Sequence, residues 1–401
     1  MKTIIAAYSQ NQSGGGASRR RGCLLHEICS QVMKLTQSRW AVQTLSCRPT
    51  DHGSHASIQA ALLRSVLALP WPSQRDVRAC IQLLSVFQWI LSFLLMGIVL
   101  LLLLIYLVFT NFWPISAFYV AWLIFDWETP EKGGRSSSWI RSLAVWDHFR
   151  DYFPIQLVKT HDLLPSHNYI IGVHPHGILC IGAFCNFVTR STGFCEKFPG
   201  IKPFLGTLAG NFRLPGIREY LMSGGLYPVT RRGIEYLISR NGTGNAVAIV
   251  VGGAAESLSC QPGVTKLILS RRKGFVKMAL QHGAHLVPAF SFGENDLFQQ
   301  VHFEEGSWVR SLQNRVRKFF GVAPCFFYGR GFTSVHSWGF LPFPRPVTTV
   351  IGEPLMLPKV EQPTREMVDR YHAMYVQALR KLFDEHKVAH GLPETEELRI
   401  L

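Results

Sequence analysis

Between Ala79 and Phe125 the sequence carries no charged residue, and within that span Ile90 to Phe109 is almost unbroken Leu, Ile, Val, Phe and Met. A helix of about 20 such residues crosses the roughly 30 Å hydrocarbon core of a bilayer, and a buried soluble helix has no need of so long an apolar run. The chain is therefore expected to be held in a membrane here. Asn111-Phe112-Trp113-Pro114 interrupts the run, and the second limb, Ile115 to Phe125, is short for a full crossing but long enough for a tilted or re-entrant return. The pattern predicts a helical hairpin. Arg75 and Arg78 precede it, and Lys132, Arg135, Arg141 and Arg150 follow it. Basic residues on both flanks place both ends on the cytoplasmic face. Trp113, Trp122 and Trp127 fall where an aromatic belt is expected.

The hairpin divides the 401 residues into three parts: 1–70, 71–127 and 128–401. Residues 1–70 are rich in Ser, Gly, Gln and Arg and lack sustained periodicity. They read as a mostly disordered, cytosolic, low-complexity segment with a short helix through Ile58–Leu67. The apolar stretch after Met1-Lys2 is too short for the h-region of a signal peptide, and no cleavage site follows. The nine cysteines are scattered without any Cys-x-x-Cys, the usage of a reducing compartment. Cys180, Cys185 and Cys195 follow two histidines, but their spacing matches no familiar zinc site, so no metal is expected. The balance of 41 Lys and Arg against 26 Asp and Glu favours an anionic partner. No helix-turn-helix, finger or aromatic-interleaved basic stripe accompanies it, so nucleic acid is not expected; an anionic membrane face or a phosphorylated ligand remains.

From residue 128 onward, short β-branched runs at Tyr169–Val173, Ala246–Val251, Leu286–Phe292 and Thr348–Ile351 alternate with helical stretches. This is the pattern of an α/β domain with a mixed, largely parallel sheet flanked by helices. One helix runs from Gly274 to His282 and stops at Gly283. Another is capped by Thr364, its stripe of Met367, Tyr371, Met374, Tyr375, Leu379, Leu382 and Phe383 facing the core.

The first of these strands ends in His174-Pro175-His176-Gly177. A histidine at the point where a helix begins is kept neutral by the helix dipole and suits a general base near neutral pH. Taken alone, a His-x-His pair reads equally well as turn histidines satisfied by backbone. Other segments fall beside it at strand ends: Val250-Val251-Gly252-Gly253, continuing to Glu256-Ser257, and Phe292-Gly293-Glu294. In an open α/β sheet, ligands bind in the crevice beyond the carboxyl ends of the strands. Two basic segments complete the constellation, the loop with Asn211, Arg213 and Arg218 and the helix start with Arg271, Arg272, Lys273 and Lys277.

Together with Tyr152-Phe153-Pro154, Gly182-Ala183-Phe184-Cys185-Asn186-Phe187, Gly225 and Gly352-Glu353-Pro354, these motifs resemble the diacylglycerol acyltransferase type 2 family over roughly residues 60 to 398. The resemblance implies a glycerolipid-acyltransferase-like fold and transfer of a fatty acyl group from acyl-coenzyme A to the free hydroxyl of diacylglycerol. It places the chain in the endoplasmic reticulum membrane and on lipid droplets, with the catalytic part in the cytosol. A homo-oligomer is compatible with it. His174 or His176 would take the hydroxyl proton, His174 being favoured with His176 as its positioner. Backbone N–H groups of Gly177, Gly252 or Gly253 would hold the oxyanion. Asn211, Arg213, Arg271, Arg272, Lys273, Lys277 and Glu294 would bind acyl-coenzyme A or lipid. Coenzyme A thiolate leaves readily, so no cofactor is expected. Monoacylglycerol or a long-chain alcohol as acceptor, a non-catalytic lipid-droplet protein, and a metal-dependent lipid hydrolase are the rival readings.

More distantly, the glycerophospholipid acyltransferases set a histidine four residues from an aspartate. Here no carboxylate follows either histidine: the matching positions are Leu179 and Ile181, and the neighbouring ones Ile178 and Cys180. Glu256 or Glu294 is expected to orient the base from a neighbouring strand end. Glu256 also stands where those relatives carry an arginine, as suits an acceptor without phosphate. The sequons at Asn11 and Asn241 should both be unmodified if the domain is cytosolic.

Overall fold

In a computed structural model of the protein, residues 73–332 and 337–401 are described. The expectations for residues 1–70, among them the helix through Ile58–Leu67 and the sequon at Asn11, lie outside these. Residues 75–329 and 342–401 form one compact unit, and residues 330–341 belong to a second. In the second, Arg330 and Leu341 exchange backbone hydrogen bonds of 2.7 and 3.2 Å.

The apolar run begins as α1 (Gln74–Leu91), continues through a π-helical turn at Ser92–Met96 and becomes α2 (Gly97–Val108). These 35 residues are the one helix among those described that is long and apolar enough to cross a membrane. Its two halves differ. In α1, Leu83, Val86, Trp89 and Ile90 are buried, and Trp89 packs on Phe149 and Phe184 with ring centroids 5.4 and 4.9 Å away. In α2 only Gly97 is buried, so Leu102, Tyr106 and their neighbours are left for lipid. The chain turns at Thr110–Phe112 into α3 (Trp113–Phe125), where the Ser116 hydroxyl donates to the Leu104 carbonyl at 2.8 Å. Thirteen residues span about 20 Å, short of the roughly 30 Å hydrocarbon core.

Eight further helices are used below: α4 (Val145–Tyr152), α5 (Ile181–Val188), α6 (Ile217–Ser223), α7 (Arg231–Ser239), α8 (Gly253–Ser257), α9 (Gly274–His282), α10 (Trp308–Phe320) and α11 (Arg365–His386). The strands are β1 (Gln156–Lys159), β2 (Tyr169–His174), β3 (Lys202–Thr207), β4 (Leu226–Pro228), β5 (Asn245–Val250), β6 (Lys266–Leu267), β7 (His285–Phe292), β8 (Gln299–Val301), β9 (Phe326–Arg330), β10 (Trp338–Gly339), β11 (Thr348–Ile351) and β12 (Arg399–Ile400). Seven of them make one sheet in the order β1-β11-β7-β2-β5-β3-β4. β7, β2, β5, β3 and β4 run parallel, whereas β11 is antiparallel to β7 and β1 follows β11. The mixed, largely parallel sheet is thus the one expected.

The four strands read from apolar runs are present to within one residue at each end. β2 and β7 are buried along their whole length, because helices cover both faces of the sheet's centre. α9 and α11 pack Val276, Ala279, Tyr375, Leu379 and Phe383 onto Ile170, Leu286 and Phe290. Gly283 ends α9 at φ 69°, and the Thr364 side chain accepts from Met367 N–H at the start of α11. β3 and β4 escaped the sequence reading because Pro203, Gly206 and Pro228 dilute an already short pattern.

The α/β part contacts α2 and α3 through α6 and the loop before it. Gly97 lies so close to this loop that a Cβ there would sit 3.1 Å from Leu214, and a Cβ on Gly216 would run into Leu100. The Tyr119 hydroxyl donates to the Glu219 carboxylate at 3.1 Å, and Glu219 in turn accepts from Gly216 N–H at 3.0 Å. Arg218, 1% exposed, donates to Asp126 Oδ2 at 2.5 Å and to the Asp126 carbonyl. Arg135 and Thr129 share Oδ1 of the same aspartate.

Candidate active site

The parallel strands β2, β5 and β7 carry His174, Val250-Val251-Gly252 and Phe292-Gly293-Glu294 to one edge of the sheet. His174 is the last residue of β2, not a residue beyond it, and is fully buried. Its Nε2 lies 3.0 Å from the Tyr375 hydroxyl, which donates to the Gly172 carbonyl at 3.1 Å. That hydroxyl accordingly accepts from His174 Nε2–H. Burial pushes the His174 pKa down to about 3, so the ring stays neutral. Enclosed in this way, His174 buttresses the turn from below. The residue expected to be the base is thus an enclosed ring already bonded to Tyr375, whereas His176, expected to position it, is half-buried. Removing the Tyr375 hydroxyl with Tyr375→Phe strands the ring N–H and the Gly172 carbonyl, at a cost of about 1–3 kcal/mol. Thermal unfolding in detergent should show the loss; an unchanged midpoint would mean the pair contributes nothing.

After a cis His174–Pro175 peptide the chain turns through His176 and Gly177, the latter at φ 61°. His176 is half-buried. Its backbone N–H donates to Glu256 Oε1 at 2.6 Å, and Glu256 Oε2 accepts from Ile268 N–H at 2.8 Å. Glu294 Oε1 and Oε2 accept from Ile181 and Gly182 N–H at 2.7 and 2.8 Å. Both carboxylates therefore bind backbone, and the expected carboxylate-to-imidazole contact is replaced by a clamp on the turn and on the start of α5. The helix dipole acts on Glu294 rather than on a histidine, since α5 begins at Ile181. Ile181 is one of the two positions where the distant motif would hold its aspartate; here its backbone N–H meets Glu294, from the turn after β7. No room is left for larger residues: a Cβ on Gly177 or Gly182 would press on Glu294, and one on Gly252 on Glu256.

The His176 ring meets Ser257 Oγ at 2.7 Å and the Gly177 carbonyl at 3.2 Å, both through Nδ1. Cys180 Sγ lies 3.4 and 3.6 Å from its two nitrogens and directs its S–H to the His176 carbonyl at 3.2 Å. Desolvation lowers the His176 pKa to about 4. Burial raises Glu256 and Glu294 to about 7, against the opposing pull of the N–H groups on each.

These shifts have opposite signs for stability and for turnover. A carboxyl raised in the folded state adds stability that is complete below its ordinary value of 4.5 and is lost as pH rises through about 7. Turnover is expected to need the ionised form, because a proton on either group occupies an oxygen that accepts a backbone N–H. The rate should fall several-fold as pH drops through about 7, well before His176 protonates near 4. A kcat profile that is flat down to the histidine value would contradict this.

Of the other expected residues, Gly253 borders open space at φ 59° where α8 begins. Arg272 donates to the Gly252 carbonyl at 3.4 Å and its charge lowers the Glu256 pKa, which brings it to the turn. Lys273 is paired with Asp369 at 2.6 Å, while Arg271 and Lys277 are exposed. Asn211 and Arg213 lie on the loop at the hairpin, with Arg213 over the Trp127 ring at 5.8 Å. Three residues here had no catalytic role in the sequence reading: Ser257, which only closed the Gly252–Ser257 segment, Tyr375, which was assigned to a core stripe, and Cys180, which was weighed only as a metal ligand. Among the described residues no group of three His, Cys, Asp or Glu is placed to hold a metal.

The sequence model of the family described as Diacylglycerol acyltransferase matches residues 105–401. Diacylglycerol O-acyltransferase 2 of Rattus norvegicus is 52% identical over 400 residues, covering all of both chains, and that of Homo sapiens 51% over 414 residues, again covering all of both. Diacylglycerol O-acyltransferase 2-like protein 6 of Homo sapiens is 53% identical over 82% of this chain and 98% of its own. Among solved structures, the 1-acyl-sn-glycerophosphate (LPA) acyltransferase PlsC from Thermotoga maritima aligns over 78% of this chain and 98% of that one, with 14% identity and a TM-score of 0.35, too slight a likeness to bear on mechanism. With a family match over most of its length and relatives this similar from end to end, the chain belongs to the diacylglycerol acyltransferase family.

Proposed function

We propose that His176 is the general base in transfer of a fatty acyl group from acyl-coenzyme A to the free hydroxyl of diacylglycerol, the reaction after which its full-length relatives are named. The observation that carries this reading is a half-buried imidazole at the strand edge, its turn clamped by two carboxylates and its Nδ1 engaged. Nε2 takes the hydroxyl proton as the oxygen attacks the thioester carbonyl. The tetrahedral intermediate then collapses, the carbon–sulfur bond breaks, and Nε2–H gives its proton to the coenzyme A sulfur. Of the three glycines, Gly253 opens α8 and is the one where a Cβ would meet nothing within 4 Å, which suits it best to hold the oxyanion through its N–H. Arg272, beside Gly252, suits a phosphate of coenzyme A better than Lys273, which already has a partner.

Diacylglycerol reaches the site along the hairpin side, where Asn211, Arg213 and the Leu214–Gly216 loop meet α2 and Trp127. The hairpin holds the chain in the endoplasmic reticulum membrane with its α/β part in the cytosol, and on lipid droplets. α10 suits the same interface: Trp308, Leu312, Phe319 and Phe320 are exposed beside Arg310, Arg315, Arg317 and Lys318. The test is an acceptor panel on the purified chain in micelles, with labelled acyl-coenzyme A. Diacylglycerol should give the highest kcat/KM and lysophosphatidate little product. A preference for monoacylglycerol or a long-chain alcohol would reassign the acceptor, and transfer to none of them would reject catalysis.

A further inference from the structure

Ser257 follows Glu256 at the end of α8 and is 2% exposed. Its hydroxyl and the Gly177 carbonyl approach the same nitrogen, Nδ1 of His176, at 2.7 and 3.2 Å. A carbonyl oxygen only accepts, so the shared contact requires the hydrogen to be on Nδ1. We propose that Ser257 is a positioning residue for the acyl-transfer reaction: its hydroxyl oxygen accepts Nδ1–H beside the Gly177 carbonyl, fixing the tautomer in which Nε2 is bare. The proposal rests on His176 being the base.

The surroundings leave this task to Ser257. Glu256 and Glu294, the nearby carboxylates, use all four oxygens on backbone N–H groups. The Cys180 thiol directs its S–H to the His176 carbonyl, so it offers the ring no proton. Glu256 and Ser257 are neighbours in sequence and hold His176 at two points, the former by its backbone N–H and the latter by its ring. When Nε2 takes the proton of the acceptor hydroxyl, the ring becomes a cation with a hydrogen on each nitrogen. The bond from Nδ1–H to Ser257 Oγ then becomes charge-assisted and strengthens. Once Nε2 has returned its proton to the departing thiolate sulfur, the neutral Nδ1–H tautomer is restored. A neutral hydroxyl thus takes the place that an aspartate or glutamate holds beside many catalytic histidines.

The test uses the purified full chain in micelles of diacylglycerol and detergent. Ser257→Ala should lower kcat by about 10–100-fold, the loss expected for one hydrogen bond to a charged group, with KM for acyl-coenzyme A and for diacylglycerol within about twofold of wild type. Added to His176→Ala, the same change should cost no further activity, because Ser257 acts only through that ring. Ser257→Thr, which keeps the hydroxyl, should recover most of the rate. An unchanged kcat in Ser257→Ala would overturn the proposal, as would a further loss on the His176→Ala background or a folded Ser257→Thr as slow as the alanine variant. Failure of the underlying reading looks different: His176→Ala would itself remain active.

Discussion

His176→Ala is expected to lower kcat by about 10²–10⁴-fold, the usual contribution of a positioned general base, without a comparable loss of folded protein. His174→Ala should show the opposite balance. Its ring is fully enclosed and bonded to Tyr375, so its removal leaves a cavity and an unpaired hydroxyl beneath the turn. The thermal midpoint should drop, and the rate per folded molecule should change far less than in the His176 variant. Kinetics normalised to folded protein, with thermal unfolding alongside, separate the two effects. A His174 variant that is stable but inactive, next to an active His176 variant, would restore the assignment suggested by sequence register.

The second large effect concerns the joint between the end of α3 and α6. Arg218 and Asp126 are 1% and 3% exposed, and Arg218 donates to both the side chain and the carbonyl of Asp126. Removing one member of a buried ion pair typically costs about 3–5 kcal/mol when the other is left charged and without a partner. Arg218→Met leaves Asp126 to Arg135 and Thr129, so it is expected to destabilise the folded chain by less than that full amount and to free the loop before α6 from the end of α3. Asp126→Asn should cost at least as much, because the buried Arg218 and its neighbour Arg135 both lose their counter-charge. The double variant should cost less than the sum of the two single changes. Protease sensitivity near Asp126 and the thermal midpoint are the measurements; an Arg218→Met chain as stable as wild type would remove the pair from the account.

Much of the fold was legible because parallel strands buried on both faces leave continuous apolar runs, as in Tyr169–Val173, and because Gly283 and Thr364 mark helix ends by local chemistry alone. The order of the strands and the reversal at β11 were not legible, since they depend on contacts between runs far apart in sequence. The site divided in the same way. Strand ends announced His174, Gly252 and Glu294, but which atoms meet could not be read from them. Glu294 and Glu256 lie near the turn but bind backbone amides, a partner that sequence does not display. Ser257 and Tyr375 carry no signal beyond a serine after a glutamate and a tyrosine on an apolar stripe; three-dimensional register alone brings them to the two rings. The basic start of α9 looked uniform in sequence, but Asp369, on α11, singles out Lys273.

The central claim is that Nε2 of His176 takes the acceptor's proton as its hydroxyl oxygen attacks the thioester. A structure of the full chain bound to a non-transferable thioether analogue of acyl-coenzyme A tests this most directly. The carbon standing for the thioester carbonyl should face His176 Nε2 with room for one hydroxyl oxygen between them, at the roughly 3–3.5 Å spacing of reacting atoms, and His174 should remain bonded to Tyr375. An analogue seated with that carbon remote from the turn, or against a His174 released from Tyr375, would contradict the account.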